Sequence, residues 1–322
     1  MSTLIIDHRD VRLDYEQQCL IIRQPDLPPR SVPLQGLQRI VCLHGVQLSS
    51  TVLGQCQRHA VDFIQVNSRH SDLSFALHAR HQHQALRRLV QYRLSQSASA
   101  TLRLSQLLVS AKLGQALVCL RREDDSPLNL QSRSELCRLR SRLKSANTAD
   151  QLRGLEGLAQ RGLFEYWKGQ LSPDLGFTQR QRRPPPDPVN ALLSLSFTLM
   201  YHEAIRQCLI HGLDSWLGVY HQPAHGRHSL ACDLMEPLRP HIEAWVVQRF
   251  RSGDFDRRQF SQSAGGCQLG KQGREHYYAL WHQQLPGWSA RLGRYAAWLA
   301  RFLNHTGKEP EDAACTLVPD QL

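Results

Sequence analysis

Two periods of hydrophobic and polar positions divide the chain. Up to about residue 80, apolar residues come in short β-branched runs, "TLIID", "VRLDY", "CLIIRQ", "RIVCLH" and "VDFIQV", which predict strands. Turn-like stretches such as "PDLPPRS" separate them, and one short helix is predicted over 50–58. From about residue 82 the apolar spacing becomes three and four. "LRRLVQYRLSQ", "LRLSQLLVSAKLGQALVCLRR" and "SELCRLRSRLKSA" predict helices with one buried face. The fold class is therefore α+β: a small β-rich, sandwich-like domain over 1–80, then a larger all-α domain over 81–322, with the boundary in "HARHQHQ" at 78–84. "PLNLQSRS" and "TQRQRRPPPDP" (178–188) are predicted loops of the helical half. The second, with three arginines and four prolines, reads either as a solvated connection or as a DNA contact. No internal repeat is visible.

Within the helical half one charged position breaks the pattern. "NTADQLRGLEGLAQRGLFEYWKG" opens with Thr148 and Gln151 at capping-box spacing, and Leu152, Leu155, Ala159, Leu163 and Trp167 form its apolar stripe. Glu156 lies against that stripe, with Gly154 and Gly157 beside it. A carboxylate placed there must be paired, protonated or bound to a metal, because its unpaired burial is costly. An ion pair with Arg153 or Arg161 and a metal-ligand role both remain open.

A second irregularity is "YHQPAHGRHSLACDLMEPLRP" at 220–240. A loop is predicted first, then a helix with Ser229 as N-cap, in which Asp233 and Glu236 share a face. Pro237 and Pro240 cannot donate to the carbonyls of Asp233 and Glu236, so the helix should bend there and turn its carboxylates into a cleft. Glutamate oxygens with a histidine nitrogen suit Mg²⁺ or Mn²⁺. The rival set, His221, His225, His228 and Cys232, has no familiar zinc spacing, and Pro223 and Gly226 mark a loop. Those histidines read equally as surface or phosphate-contacting residues.

Charge changes the picture of the partner. Lys and Arg number 39 against 28 Asp and Glu, a formal net charge of +11, and most of the cations are arginines. Such an excess points to a polyanion, with nucleic acid favoured over an anionic membrane because no long basic amphipathic helix is evident. Arg138, Arg142 and Lys144 in "CRLRSRLK" are candidates for the DNA-contacting face, although charge runs on helices are commonly just solvated. The nine cysteines are scattered without a CxxC pair, which fits a reducing cytoplasm and supports neither a disulfide framework nor a zinc ribbon. "MSTLIIDHRD" does not read as a signal peptide, and "ALLSLSFTLM" at 191–200 is too short to span a bilayer. Residues 305–322 read as a mobile tail.

"LRGLEGLAQRGLF", "RPPPDPVNALLSLSFTLMY", "GLDSWLGVYH" and "GRHSLACDLMEPLRP" resemble, in this order, motifs of the CRISPR-associated integrase family that inserts new spacers into CRISPR arrays. The match spans most of 152–240, and the β-rich start and "GGCQLGKQGR" (265–274) also fit. The resemblance implies an N-terminal β domain that builds a homodimer, a helical catalytic domain, and a small ferredoxin-like CRISPR-associated partner that bridges two dimers. It implies Glu156, His221 and Glu236 as metal ligands, and Asp233 as a further acidic residue beside the metal. Arg227 and Ser229 fall in the family's GR-x-S-L stretch, where they are candidate DNA contacts, and Asn190 falls in its P-x-N-A-L-L-S stretch. Phe197 and His228 depart from the residues frequent there, and neither is a ligand. The implied chemistry is transesterification, in which a DNA 3′-hydroxyl attacks a phosphodiester. A metal-dependent endonuclease and a non-catalytic basic DNA scaffold are the rival readings.

Overall fold

Alternating and continuous β-branched runs give the first part of the chain its strands. The computed structural model describes residues 2–67, 73–79, 84–182, 184–263 and 265–306. Strands β1 (Ser2–Ile6), β2 (Val11–Glu16), β3 (Cys19–Gln24), β4 (Leu27–Pro33), β5 (Leu37–Cys42), β6 (Val46–Leu48), β7 (Asp62–Gln65) and β8 (Phe75–Leu77) form two four-stranded sheets. One has the order β1-β5-β7-β8, with β1, β5 and β7 parallel, and the other the order β4-β3-β2-β6. Both sheets and helix α1 (Ser50–Arg58) contribute to one core, in which Ile6, Leu13, Leu20, Ile40, Val52, Cys56 and Phe63 are buried. This is the β-rich arrangement that the sequence pattern predicts.

One stretch read as a turn is a strand. "PDLPPRS" supplies most of β4, which pairs only with β3 at the edge of its sheet. Proline lacks a ladder donor, so an edge is where such a strand can form. The prolines hid it from a propensity-based reading.

The helical part comprises α2 (Ala85–Gln96), α3 (Ala98–Leu120), α4 (Pro127–Arg142), α5 (Ala149–Gly169), α6 (Pro188–Ile210), α7 (Ser229–Met235), α8 (Arg239–Arg251) and α9 (Lys271–Thr306). A two-stranded hairpin, β9 (Phe260–Ser263) with β10 (Gly266–Leu269), interrupts the helices and was not foreseen. Contacts divide the chain into Met1–His83 with Leu209–Gly212, and Gln84–Cys208 with Leu213–Leu322. The core of the second unit joins Val109, Leu113, Ala116 and Leu120 of α3 to Leu136 and Leu139 of α4, Leu152, Leu163 and Trp167 of α5 and Val247 of α8.

"PLNLQSRS", predicted as a loop, forms the first turns of α4. Ser126 caps the helix by accepting from the N–H of Asn129 at 3.3 Å, and Pro127 takes the first helical position. Proline is suited to that place because its missing N–H would have no helical partner there. Residues 178–182 and 184–187 are irregular as expected, and Pro188 opens α6; Arg183, part of the 78–84 boundary and residues 307–322 of the expected tail lie outside the described residues. Among the described residues no helix is long and apolar enough to cross a membrane.

Candidate active site

Helix α5 carries the first site residue. The hydroxyl of Thr148 accepts the N–H of Gln151 at 3.2 Å, while the Gln151 side chain accepts from the N–H of Asn147 at 2.8 Å, one residue further back than a full capping box requires. Leu152, Ala159, Leu163 and Trp167 are buried along the predicted stripe and Leu155 partly so. Glu156 lies half-buried beside them, its side chain 20% exposed. Neither arginine suggested for it is its partner: Arg153 bonds Asp150, and Arg161 is exposed. Instead, Lys112 Nζ, reaching from α3, donates to Glu156 Oε1.

The same ammonium touches Glu236 Oε2 at 2.7 Å. Glu236 stands at the expected break. Helix α7 ends at Met235, a single 3-10 turn spans Glu236–Leu238, and α8 starts at Arg239. Pro237 and Pro240 withhold the N–H groups that would continue the α-helical ladder. Arg239 Nε lies 2.8 Å from Glu236 Oε1, and its guanidinium covers the Phe197 ring at 4.7 Å. Burial alone would raise the Glu236 carboxyl; Arg239, Lys112 and His221 outweigh it and hold the group at about 2. Burial would likewise lower Lys112, but Glu236 and Glu156 reverse the sign and keep it charged.

A short loop supplies His221, and Asp233 shapes that loop. Asp233 Oδ2 accepts the N–H groups of Val219 at 2.6 Å and Tyr220 at 3.1 Å. Its Oδ1 accepts the N–H of His221 at 2.9 Å and meets His221 Nδ1 at 2.7 Å. A carboxylate can only accept, so Nδ1 carries the proton of this bond, and the ring in its neutral form would present its lone pair at Nε2. That nitrogen is 3.8 Å from Glu236 Oε1. The turn passes so close that a Cβ on Gly218 would meet His221 O at 2.6 Å and Asp233 Oδ2 at 2.8 Å. Asp233, expected beside a metal, therefore stands behind His221 with both oxygens committed, and positions it.

Other candidates are not brought together. Ser229 is fully buried and is the first residue of α7, with His228 at the cap position. Its hydroxyl donates to Gln222 O at 3.0 Å and so ties down the loop. Arg227 also bonds Gln222 O and approaches the Ser229 hydroxyl at 3.4 Å. His228 shares its Nδ1 with Ser215 at 2.7 Å and stacks on Trp216, and His225 is exposed, so the zinc set does not assemble. Arg138 is taken up by Glu135 at 2.8 and 2.6 Å, and Arg142 and Lys144 are exposed. Asn190 pins the arginine-proline loop, accepting from Arg180 Nη1 at 2.8 Å and Gln181 N at 2.9 Å and donating to Gln179 O at 2.9 Å.

The family profile described as CRISPR associated protein Cas1 matches residues 4–283. The chain belongs to the Cas1 family. A curated Cas1 relative from Thermodesulfovibrio yellowstonii, named a CRISPR-associated endonuclease, is 31% identical over 291 residues, covering 88% of this chain and 91% of its own. A Cas1 protein from Thermotoga maritima shares the fold with TM-score 0.84 at 16% identity, over 94% of this chain and 97% of that one. A casposase solved on its integration product shares it with TM-score 0.81 at 17% identity, over 100% of this chain and 96% of the casposase. At such identities these two likenesses are of fold.

The Cas1 resemblance implies a divalent ion, and the donors here suit one. Two carboxylate oxygens, Glu156 Oε1 from α5 and Glu236 Oε2 from the turn between α7 and α8, already converge on a single positive charge, and the imidazole Nε2 lies 3.8 Å from the other oxygen of Glu236. Among the described residues no three His, Cys, Asp or Glu side chains form a ready metal cluster. Lys112 lies at the shared point, and it was missed in the sequence. The signal was available: a lone cation on the α3 face bearing Val109, Leu113 and Ala116 is as anomalous as Glu156 on α5.

Proposed function

We propose that this Cas1 chain is a divalent-metal-dependent DNA integrase. It would join 3′-hydroxyl ends of captured DNA to a CRISPR repeat by transesterification, exchanging one phosphodiester for another. The observation that carries the reading is the convergence of Glu156 and Glu236 on one cation position, with His221 Nε2 beside them, in a chain of this family. Glu156, Glu236 and His221 would hold Mg²⁺ or Mn²⁺. Such an ion, when bound, would activate the attacking hydroxyl and neutralise charge building on phosphorus and on the leaving oxygen.

The residues of the chain perform the rest. Asp233 holds the His221 loop and fixes the tautomer that leaves Nε2 available. Arg239 keeps Glu236 ionised and aimed, and Phe197 covers the guanidinium that does so. No nucleophilic side chain is needed, because the incoming DNA hydroxyl makes the bond that replaces the one broken. The same balance lets branched DNA be resolved in the reverse direction. We also propose a homodimer built through the β domain, DNA ends and the CRISPR repeat as ligands, and a small ferredoxin-like CRISPR-associated protein bridging two dimers. These follow from the family resemblance.

The test is joining of a labelled 3′-hydroxyl DNA end to a supercoiled plasmid carrying a CRISPR repeat, in Mn²⁺ or Mg²⁺. Joining by the parent protein and a loss of roughly a hundredfold or more in Glu156→Gln support the integrase. Cutting without joining would favour the endonuclease reading, with water as nucleophile. Near-parental joining by Glu156→Gln, with lowered thermal stability, would reduce Glu156 to a structural partner of Lys112.

A further inference from the structure

Lys112 is a buried lysine that neither the proposed ligand set nor the fold alone explains. Its Nζ contacts one oxygen of Glu156 and one of Glu236, and its side chain is only 7% exposed. On α3, Val109 three residues before it, Ala116 four residues after it and the adjacent Leu113 are all buried apolar residues. The two glutamates come from different elements and share no backbone constraint. Two ionised carboxylates facing one point in a partly desolvated site repel each other strongly. Arg239 offsets only Glu236, through its other oxygen.

We propose that Lys112 is the built-in counter-cation of this acidic pair: it holds Glu156 and Glu236 at a shared point and yields that point to a divalent cation, so that its ammonium sets the affinity of the site for metal. The inference rests on the metal-site reading of the two glutamates. Mg²⁺ binds carboxylate oxygens at about 2.0–2.1 Å, so an ion seated between Glu156 Oε1 and Glu236 Oε2 would take the point where the ammonium sits. Binding is therefore an exchange of one cation for another. The chemistry of lysine suits an exchange. Its charge is compact and its stem turns about several single bonds, so the ammonium can leave while α3 stays in place. An arginine fork locked onto both carboxylates would be far harder to displace.

The experiment measures Mn²⁺ binding to the full chain by calorimetry, with melting curves in chelator and in Mn²⁺, for the parent, Lys112→Met and Glu156→Gln. Lys112→Met keeps the length of the stem and removes the competitor. It should bind Mn²⁺ about tenfold or more tightly, melt lower than the parent in chelator, and gain more from Mn²⁺ than the parent does. Unchanged or weaker Mn²⁺ binding by Lys112→Met, with binding by the parent intact, overturns the counter-cation role alone. Mn²⁺ binding that is the same in Glu156→Gln as in the parent overturns the metal-site reading beneath it. A second measurement needs no variant: acetylation of Lys112 in the parent protein, read by peptide mass, against the exposed Lys144 and Lys168 as controls. Labelling of Lys112 should rise severalfold on adding Mn²⁺ while the controls stay constant. Equal labelling with and without bound Mn²⁺ would mean that the ammonium never leaves, and the proposal fails.

Discussion

Asp233 shows how one side chain can decide a site it does not line. Its two oxygens accept three backbone N–H groups and face His221 Nδ1. Asp233→Asn keeps the shape but turns an NH₂ towards at least one of those donors. An unsatisfied buried donor costs about 1–3 kcal/mol, so the variant should melt several degrees lower and lose His221 positioning with it. Joining should fall by tenfold or more in Asp233→Asn, and normal joining would show that the loop holds itself. A second buried carboxyl gives a pH signature. Burial pushes Glu243 up to about 7 from an ordinary 4.5, only partly offset by Lys112, Arg239 and its bond from Gln160. Between those values the unfolded chain has lost the proton and the native chain keeps it, so this group's stabilisation fades as pH rises. His241 works in the opposite sense. Burial, with Arg291 and Arg122, pushes it down to about 4 from 6.5, so its stabilisation is lost as pH falls through that window. Glu243→Gln should therefore leave a melting temperature that climbs more steeply with pH between about 4.5 and 7 than the parent's. Parallel curves would refute the raised carboxyl.

At the level of elements, the site depends on one close turn and one broken helix. The loop that brings His221 over Asp233 has no room for a side chain at Gly218, where a Cβ would lie 2.6 Å from His221 O and 2.9 Å from Ser229 C. Both are backbone atoms and cannot swing aside. Gly218→Ala should therefore displace the His221 loop, lowering stability by about 1–3 kcal/mol and joining by more than tenfold. A variant that melts and joins like the parent would show that the turn relaxes freely. Next to it, Gln91 anchors the preceding stretch by donating to Asp214 O at 2.8 Å and Leu217 O at 3.0 Å. The break between α7 and α8 serves Glu236. It places Glu236 in a 3-10 turn, between Lys112 and Arg239, at a point that an unbroken helix would carry past.

For the whole molecule, the proposed function makes the excess of positive charge the term that would govern encounter with DNA. A net charge of +11, mostly arginine, predicts duplex binding that is largely independent of sequence and releases counterions. Affinity should fall by at least about tenfold between roughly 50 and 200 mM salt, measured by fluorescence anisotropy. A flat salt dependence would remove the electrostatic account. Of the basic residues named in "CRLRSRLK", Arg142 at the end of α4 and Lys144 in the turn after it are exposed and are the pair to neutralise in that assay.

The order of β-rich and helical segments follows from the sequence alone, because side-chain period is a local property: two residues per repeat in β2 and β3, between three and four in α3 and α5. The anomaly of Glu156 and the break at Pro237 were legible for the same reason, since a charge on an apolar stripe and a missing donor need no partner to be seen. Strand β4 and the first turns of α4 were not, because their prolines are tolerated only at a sheet edge and at a helix start, and position in the fold settles which applies. The partner of Glu156 was beyond reach as well. Local spacing offered Arg153 and Arg161, whereas the fold supplied Lys112 from α3, across a sequence separation of 44. That lysine, and the commitment of Asp233 to backbone N–H groups, depend on which helices lie side by side, and only packing of the second unit's core decides it.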